Sequence, residues 1–505
     1  MWLFEPLTTE QIITGARAQL HLSADGLALS RGGVTGGDIA ASVADYAEVA
    51  EVSVGAGRSC ALELGFGTGR PAWTLKGVAR PQAQWAAHTI EGYRDLAAWS
   101  LSSEARAPLA PDELARHLHA YTDDLVLFGN LLVAQAVCHV ASDIDLEPSG
   151  DTYDIRLRID GTVQPVASIP ADLGARLLRM FKNQAGLQAH RHDITQEGRI
   201  RIGRDGGPVD LRVTVMPGIS GEKLNVRIFN PATQLFAIAN LGMSKAQAET
   251  LAGLLSEPTG AIVICGPGGS GKTTTLYAAL QHLAERPARR AIATIEDPVE
   301  FDLPGVSQTQ VGRDLDFPKA LSVLLRQDPG VIMVGEIRDP QTAQIAMRAG
   351  MSGQLLLTTI HAGGPEMVIP RLLDLGLEPY MVSSALSAIV SQRLVRTLCP
   401  ACAQHVTLNP QDLAAIGLQP AELVGAEAKA AVGCPQCRGT GYIGRTGIFD
   451  ITRICDEIGQ LVMARDVATI RERLAGDGLR RAAAEKVLAG VTDVAEVVRV
   501  LGGEK

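Results

Sequence analysis

In GPGGSGKTTTL (Gly266–Leu276) four glycines and a lysine stand directly ahead of a run of threonines. Glycine lets a backbone curl until successive N–H groups point into one concavity, which takes an anion. A helix starting there adds the positive end of its dipole. The spacing fits G-x-x-x-x-G-K-[ST] through Gly266, Gly271, Lys272 and Thr273. The chemistry implied is a polyphosphate cradle formed by Gly266, Pro267, Gly268, Gly269, Ser270, Gly271, Lys272, Thr273 and Thr274. In it Lys272 reaches the β- and γ-phosphates of ATP and the Thr273 hydroxyl holds Mg²⁺. A chance glycine-rich turn would need neither the apolar AIVIC before it nor the helix-forming TTLYAALQHLAE after it.

Hydrolysis also needs a carboxylate to order water and another to tune the metal. AIATIEDPVEF offers Glu296, Asp297 and Glu300 at a strand end closed by Pro298, and VIMVGEIRD offers Glu336 just past Val334. Acids at the C-terminal ends of parallel strands face the crevice that holds the phosphate loop. Each alone reads equally as a solvated loop acid; two downstream of one phosphate loop point to a site. A third strand, QLLLTTIHAG, ends at His361, either a satisfied hydrogen-bond partner or a phosphate sensor. Arg212 and Arg227 lie on two strands joined by a loop, as surface ion pairs or as guanidinium groups that neutralise γ-phosphate charge.

Cys399 and Cys402 in CPAC, with Cys434 and Cys437 in CPQC, form two C-x2-C turns. Paired thiolates two residues apart chelate from a tight turn, and two such turns close a tetrahedral Zn²⁺ site. The loop between them is longer than the common zinc spacing, so redox pairs stay open. Cys60, Cys138, Cys265 and Cys455 are isolated and read as structural.

These groups need elements to hold them. Past NPATQ, apolar runs of strand length (AIVIC, AIATI, VIMV, QLLLTT) alternate with helical segments, which predicts a doubly wound, largely parallel α/β sheet. Alternating YDIRLRIDGTV and VDLRVTVMPG predict half-buried strands of a smaller α/β domain over residues 121–235. Residues 1–120 combine a helical pattern at Thr9–Leu20 with glycine-rich strand-like pieces, ending in the linker-like SLSSEARAPLAPDEL. The remainder, 236–505, carries the phosphate loop, the tetracysteine insert 397–440 and closing helices. At 505 residues several cores are expected. A net charge of -9 leaves no basic stripe for a nucleic-acid backbone. MWLFEPLTTEQ lacks a secretory signal's basic and apolar regions, which predicts a cytoplasmic start. Leu125–Val140, interrupted by Asn130 and Gln135, reads as a buried helix too short to span a membrane.

Over residues 121–505 the chain resembles the ATPases of bacterial type II secretion and type IV pilus assembly. The likeness rests on ASDIDLEP, RLRIDG, the Arg212 and Arg227 segment with its GEK, the phosphate loop, TIEDPVEF, LRQDPGVIMVGEIRD, the His361 strand, SQRLVRTLCPAC and CRGTGYIGRTGIFD, in that order. The resemblance implies a RecA-like domain with a zinc-bearing insert in a homohexameric motor. It would lie peripheral to the cytoplasmic face of the inner membrane and work with inner-membrane platform and docking proteins. It makes Glu296 part of an acidic box, Glu336 the Walker B glutamate, His361 the histidine-box residue and Arg212 with Arg227 the γ-phosphate arginines. The tetracysteine insert is typical of assembly rather than retraction motors, and residues 1–120 become a partner-docking domain.

Asp145 departs from a usual histidine, Gly330 from a usual aspartate and Gln354 from a frequent histidine, and HAGGPE replaces an HTND-like stretch. None removes a phosphate, metal or water-activating group. Two other classes compete with a secretion motor. A nucleic-acid translocase shares the phosphate loop but lacks a basic, aromatic single-strand groove. A scaffold that binds nucleotide without cleaving it would not need Glu296 and Glu336. The sequence does not choose between a secretion and a pilus system.

Overall fold

The computed structural model describes residues 124–202, 209–229, 237–286, 290–312, 314–418 and 427–502 throughout, and before them a set of strands and short helices and the helix Pro111–Ala120. Its contacts divide the chain into two compact units, Met1–Thr233 and Gln234–Lys505.

In the first unit, Asp143–Ser149, Thr152–Ile159, Thr162–Pro170, Gln196–Ile202, Val209–Gly218 and Gly221–Phe229 form an antiparallel six-stranded sheet. Thr152–Ile159 alternates strictly, with Tyr153, Ile155, Leu157 and Ile159 buried. One face is therefore apolar, and the helices Leu125–Cys138 and Ala171–Gln184 contribute Phe128, Leu131, Leu177 and Phe181 to its core. Leu125–Cys138 is the buried helix the sequence predicts, and among the described residues no helix is long and apolar enough to cross a membrane.

The predicted helix at Thr9–Leu20 is not formed. Gln11–Thr14 and Gln19–Ser23 are strands that pair antiparallel, Ile13 opposite Leu20. β-Branched Ile12 and Ile13 and the intervening Gly15 weaken a helix, and the ladder takes the segment instead. The linker reading of Ser100–Leu114 also shortens: from Pro111 the chain is helical and buries Leu114 and Leu118 in the cluster that holds Leu62 and Ile228. Residues 1–10, with the segment read for a secretory signal, and 92–110 lie outside the described residues.

The second unit is built on seven strands in the spatial order Ser307–Gln310, Ile292–Glu296, Val331–Val334, Leu355–Ile360, Gly260–Cys265, Leu386–Leu398, Tyr442–Arg453. The first six run parallel and the last is antiparallel. Every residue of the four central strands from Ile292–Glu296 to Gly260–Cys265 is buried, as a parallel sheet covered on both faces requires. The predicted doubly wound sheet is borne out. Helices Val467–Leu474, Gly478–Leu488 and Val494–Leu501 close the chain, also as expected.

Candidate functional site

Register sets the phosphate loop beside the acids. Cys265, the last residue of its strand, lies abreast of Ile360; Thr358 pairs with Val334, and Val334 with Ile295. The chain thus leaves the sheet on one edge at Gly266, Glu296, Gly335–Glu336 and His361, where crevice sites form in open α/β sheets.

Gly269 and Gly271 hold φ of 74° and 87°, left-handed values that an L side chain resists, and the helix Lys272–Ala284 begins directly after them. A Cβ added at Gly268 or Gly269 would meet no atom within 4 Å, so the loop tip is open. Its floor is closed: a Cβ at Gly266 would lie 2.6 Å from the Gln392 carbonyl and the Ser270 hydroxyl. Lys272 folds back and donates to the carbonyls of Gly266 (2.8 Å) and Pro267 (3.0 Å). Burial draws its ammonium below the ordinary lysine range, against the opposing pull of Cys265 and Glu336. The Ser270 hydroxyl is buried without a partner. An open tip, an orphaned hydroxyl and an ammonium resting on loop carbonyls fit a polyphosphate, and Thr273 stands half-buried in the first helical turn.

Glu296 is 3% exposed and nearly saturated. Its carboxylate accepts from Tyr277 Oη, from Thr294 Oγ1 (2.5 Å) and from Gln308 Nε2 (3.1 Å). A carboxylate offers about four acceptor sites, so roughly one stays available to water. Tyr277 belongs to the phosphate-loop helix, and its oxygen also accepts from the backbone N–H of Glu300 (3.1 Å) and Phe301 (3.4 Å). Burial and then the Glu296 charge push the Tyr277 phenol above its ordinary range, so it stays a donor. Glu336 is more open. Arg338 pairs with one of its oxygens and His361 Nε2 stands 3.5 Å from the other. The Thr359 hydroxyl holds the Gly335 carbonyl at 2.8 Å and fixes the turn.

Behind the loop, Gln392 Nε2 donates to the Ser270 carbonyl (2.6 Å) and Gln392 Oε1 accepts from Thr275 Oγ1 (2.8 Å). Arg393 donates to the carbonyls of Gln392 (3.0 Å) and Gly363. Spacing does not single out Tyr277, Gln392 or Arg393. Tyr277 lies four residues past the phosphate-loop motif on the helix that follows it, whereas Gln392 and Arg393 come together with the loop only through strand order.

In the first unit Arg212 and Arg227 stand directly opposite each other on adjacent strands. Like charges so placed repel, and each is offset by its own carboxylate, Arg212 by Glu197 (2.8 Å) and Arg227 by Asp143 (3.1 Å). Asp145, the departure from histidine, accepts from Asn225 at 3.0 Å. At Gly330 a Cβ would lie 3.0 Å from that of Arg290, whose guanidinium caps the carbonyls of Leu255 and Glu257. A packed arginine thus fills the space that an aspartate would need.

The four cysteines converge. Sγ–Sγ distances are 3.8 Å for Cys399–Cys434, 3.7 Å for Cys402–Cys437 and 3.7 Å for Cys434–Cys437, and all four sulfurs lie within 4.8 Å of one another. Backbone N–H groups of Cys434 and Gly441 reach Cys437 Sγ at 3.1 Å each, and that of Gly433 reaches Cys402 Sγ at 3.4 Å. A closed sulfur cluster supported by amides fits structural zinc. Beside it, Gln404–Thr407 and Glu427–Ala430 pair as a small antiparallel ribbon.

Residues 123–499 match the family model described as type II/IV secretion system protein. The chain is 37% identical over 408 residues to type II secretion system protein E of Pseudomonas aeruginosa, covering 79% of this chain and 80% of the relative. It is 36% identical over 411 residues to the type IV pilus assembly ATPase PilB of Thermus thermophilus, covering 80% of this chain and 45% of that protein. Among solved structures, the fold resembles that of the DotB ATPase of Legionella pneumophila (TM-score 0.54, 17% identity, 75% of this chain and 96% of that one). It also resembles the pilus retraction motor PilT with bound ADP (TM-score 0.50, 20% identity, 73% and 95%).

Proposed function

The chain belongs to the type II/IV secretion system protein family, and from that premise we propose that it is a hexameric ATPase motor that drives assembly of a type IV pilus or a type II secretion pseudopilus at the cytoplasmic face of the inner membrane. The observation that carries the reading is the phosphate loop: an open glycine tip, an orphaned Ser270 hydroxyl and a Lys272 ammonium held on two loop carbonyls that phosphate oxygens can replace. Bound Mg²⁺, held by Thr273, would neutralise charge on the phosphates. Glu296, to which three donors leave about one acceptor site, orients water, and Glu336, the more open carboxylate, supports metal and water. His361 beside Glu336 senses the phosphate, and Arg212 and Arg227 supply guanidinium charge to it. Residues 1–120 dock a partner of the machine.

The test is phosphate release from ATP by the purified full chain and by Lys272→Ala. The wild type should hydrolyse ATP, and the variant should lose at least about a hundredfold in kcat, the scale of a lost charge contact in a transition state, with an unchanged melt. Wild-type release by Lys272→Ala would refute the site. Stimulation of the wild type by single-stranded DNA would favour a nucleic-acid motor instead.

A further inference from the structure

Gln392 and Arg393 lie mid-strand in Leu386–Leu398, which neighbours the phosphate-loop strand, and they are 1% and 4% exposed. The Gln392 amide is occupied at both ends. Its donor binds the Ser270 carbonyl and its acceptor takes the Thr275 hydroxyl, so one side chain spans Gly271–Thr274 from the loop to the first helical turn. A Cβ at Gly271 would lie 3.1 Å from Gln392 Nε2, so the amide uses the space that this glycine leaves. The next residue continues the brace: the Arg393 guanidinium donates to the Gly363 carbonyl, two residues past His361, and to the carbonyl of Gln392.

We propose that Gln392 and Arg393 are positioning residues for ATP hydrolysis. Gln392 fixes the curvature of the phosphate loop, and Arg393 fastens the His361 loop to the same strand. Cradle and histidine thereby share one mount. This rests on nucleotide occupying the loop. The two residues act at different stages: Gln392 shapes groups that grip phosphate in the bound state, so its loss appears in affinity; Arg393 aims a loop needed for turnover, so its loss appears in kcat.

The experiment is titration of the full-length protein with a fluorescent ADP analogue, steady-state phosphate release and a thermal melt, for the wild type, Gln392→Glu, Thr275→Val and Arg393→Lys. Gln392→Glu keeps the acceptor for Thr275, loses the donor to Ser270 and sets a negative charge beside the cradle; analogue binding should weaken at least about tenfold. Thr275→Val, of similar shape, removes the other half of the clamp and should weaken binding in the same direction. Arg393→Lys keeps the charge without the fork, and should lower kcat about tenfold at unchanged KM. Equal losses of active protein in all three, with wild-type affinity and KM in what remains folded, would mean a purely structural role and overturn the proposal, as would wild-type constants throughout. A wild type that binds no analogue would overturn the nucleotide reading and this proposal with it.

Discussion

Replacing Cys402 with serine should weaken zinc binding about 100- to 1000-fold. Zinc–sulfur bonds of about 2.3 Å at tetrahedral angles place sulfurs about 3.8 Å apart. Three of the six sulfur pairs lie 3.8, 3.7 and 3.7 Å apart and all lie within 4.8 Å, so an ion needs only small side-chain shifts to enter. Such sites bind zinc with about 10–16 kcal/mol over four ligands; an even division gives about 2.5–4 kcal/mol for one thiolate, which is the stated loss. Metal analysis of the purified wild type should find about one zinc per chain. Competition with a chromophoric chelator then yields the two affinities. A serine variant that holds zinc as tightly as the wild type, or a metal-free wild type that takes up none, refutes the reasoning.

The Lys182 ammonium, 0% exposed, is held by the Arg191 carbonyl (2.5 Å) and by Glu222 (2.7 Å), whose other oxygen meets His192 (2.6 Å). Lys182→Met strands that carboxylate and should cost about 3–5 kcal/mol, read as a shifted urea midpoint; adding Glu222→Gln should recover part of it. Tyr277→Phe removes a donor to Glu296 and the acceptor of two backbone N–H groups, so kcat should fall and the fold lose about 1–3 kcal/mol; unchanged phosphate release at saturating ATP would remove Glu296 from the mechanism. Nucleotide binds the ammonium form of Lys272, and burial makes the free protein give up that proton early. The dissociation constant should therefore be flat on the acid side of this step and climb with pH from below the ordinary lysine range. A titration across the alkaline range shows whether the rise begins there.

The phosphate loop was legible because its constraint is local: glycines where backbone must turn left-handed, a strand before and a helix after. The parallel sheet was legible because buried strands read as unbroken apolar runs. The locking of Glu296 was not, since of its donors only Thr294 shares its strand, and Tyr277 and Gln308 come from a helix and a neighbouring strand that folding brings to it. Gln392 lies more than a hundred residues from Ser270 and meets it because two strands distant in sequence are spatial neighbours. At Thr9–Leu20 the spacing of a few apolar residues satisfied both periods, and pairing between Ile13 and Leu20 decided for the strand.

The thirteen-residue strand Leu386–Leu398 ends one residue before Cys399. At about 3.3 Å per residue, Gln392 and that cysteine are separated by at most about 23 Å of extended backbone, which is bulged between Arg396 and Leu398. Midway along this rod Arg396 is bolted to the fully buried Glu496 of the closing helix, at 2.6 Å. The strand therefore ties the phosphate loop to the sulfur cluster through one backbone, and a shift at Gln392 reaches Cys399 only past the anchor between Arg396 and Glu496.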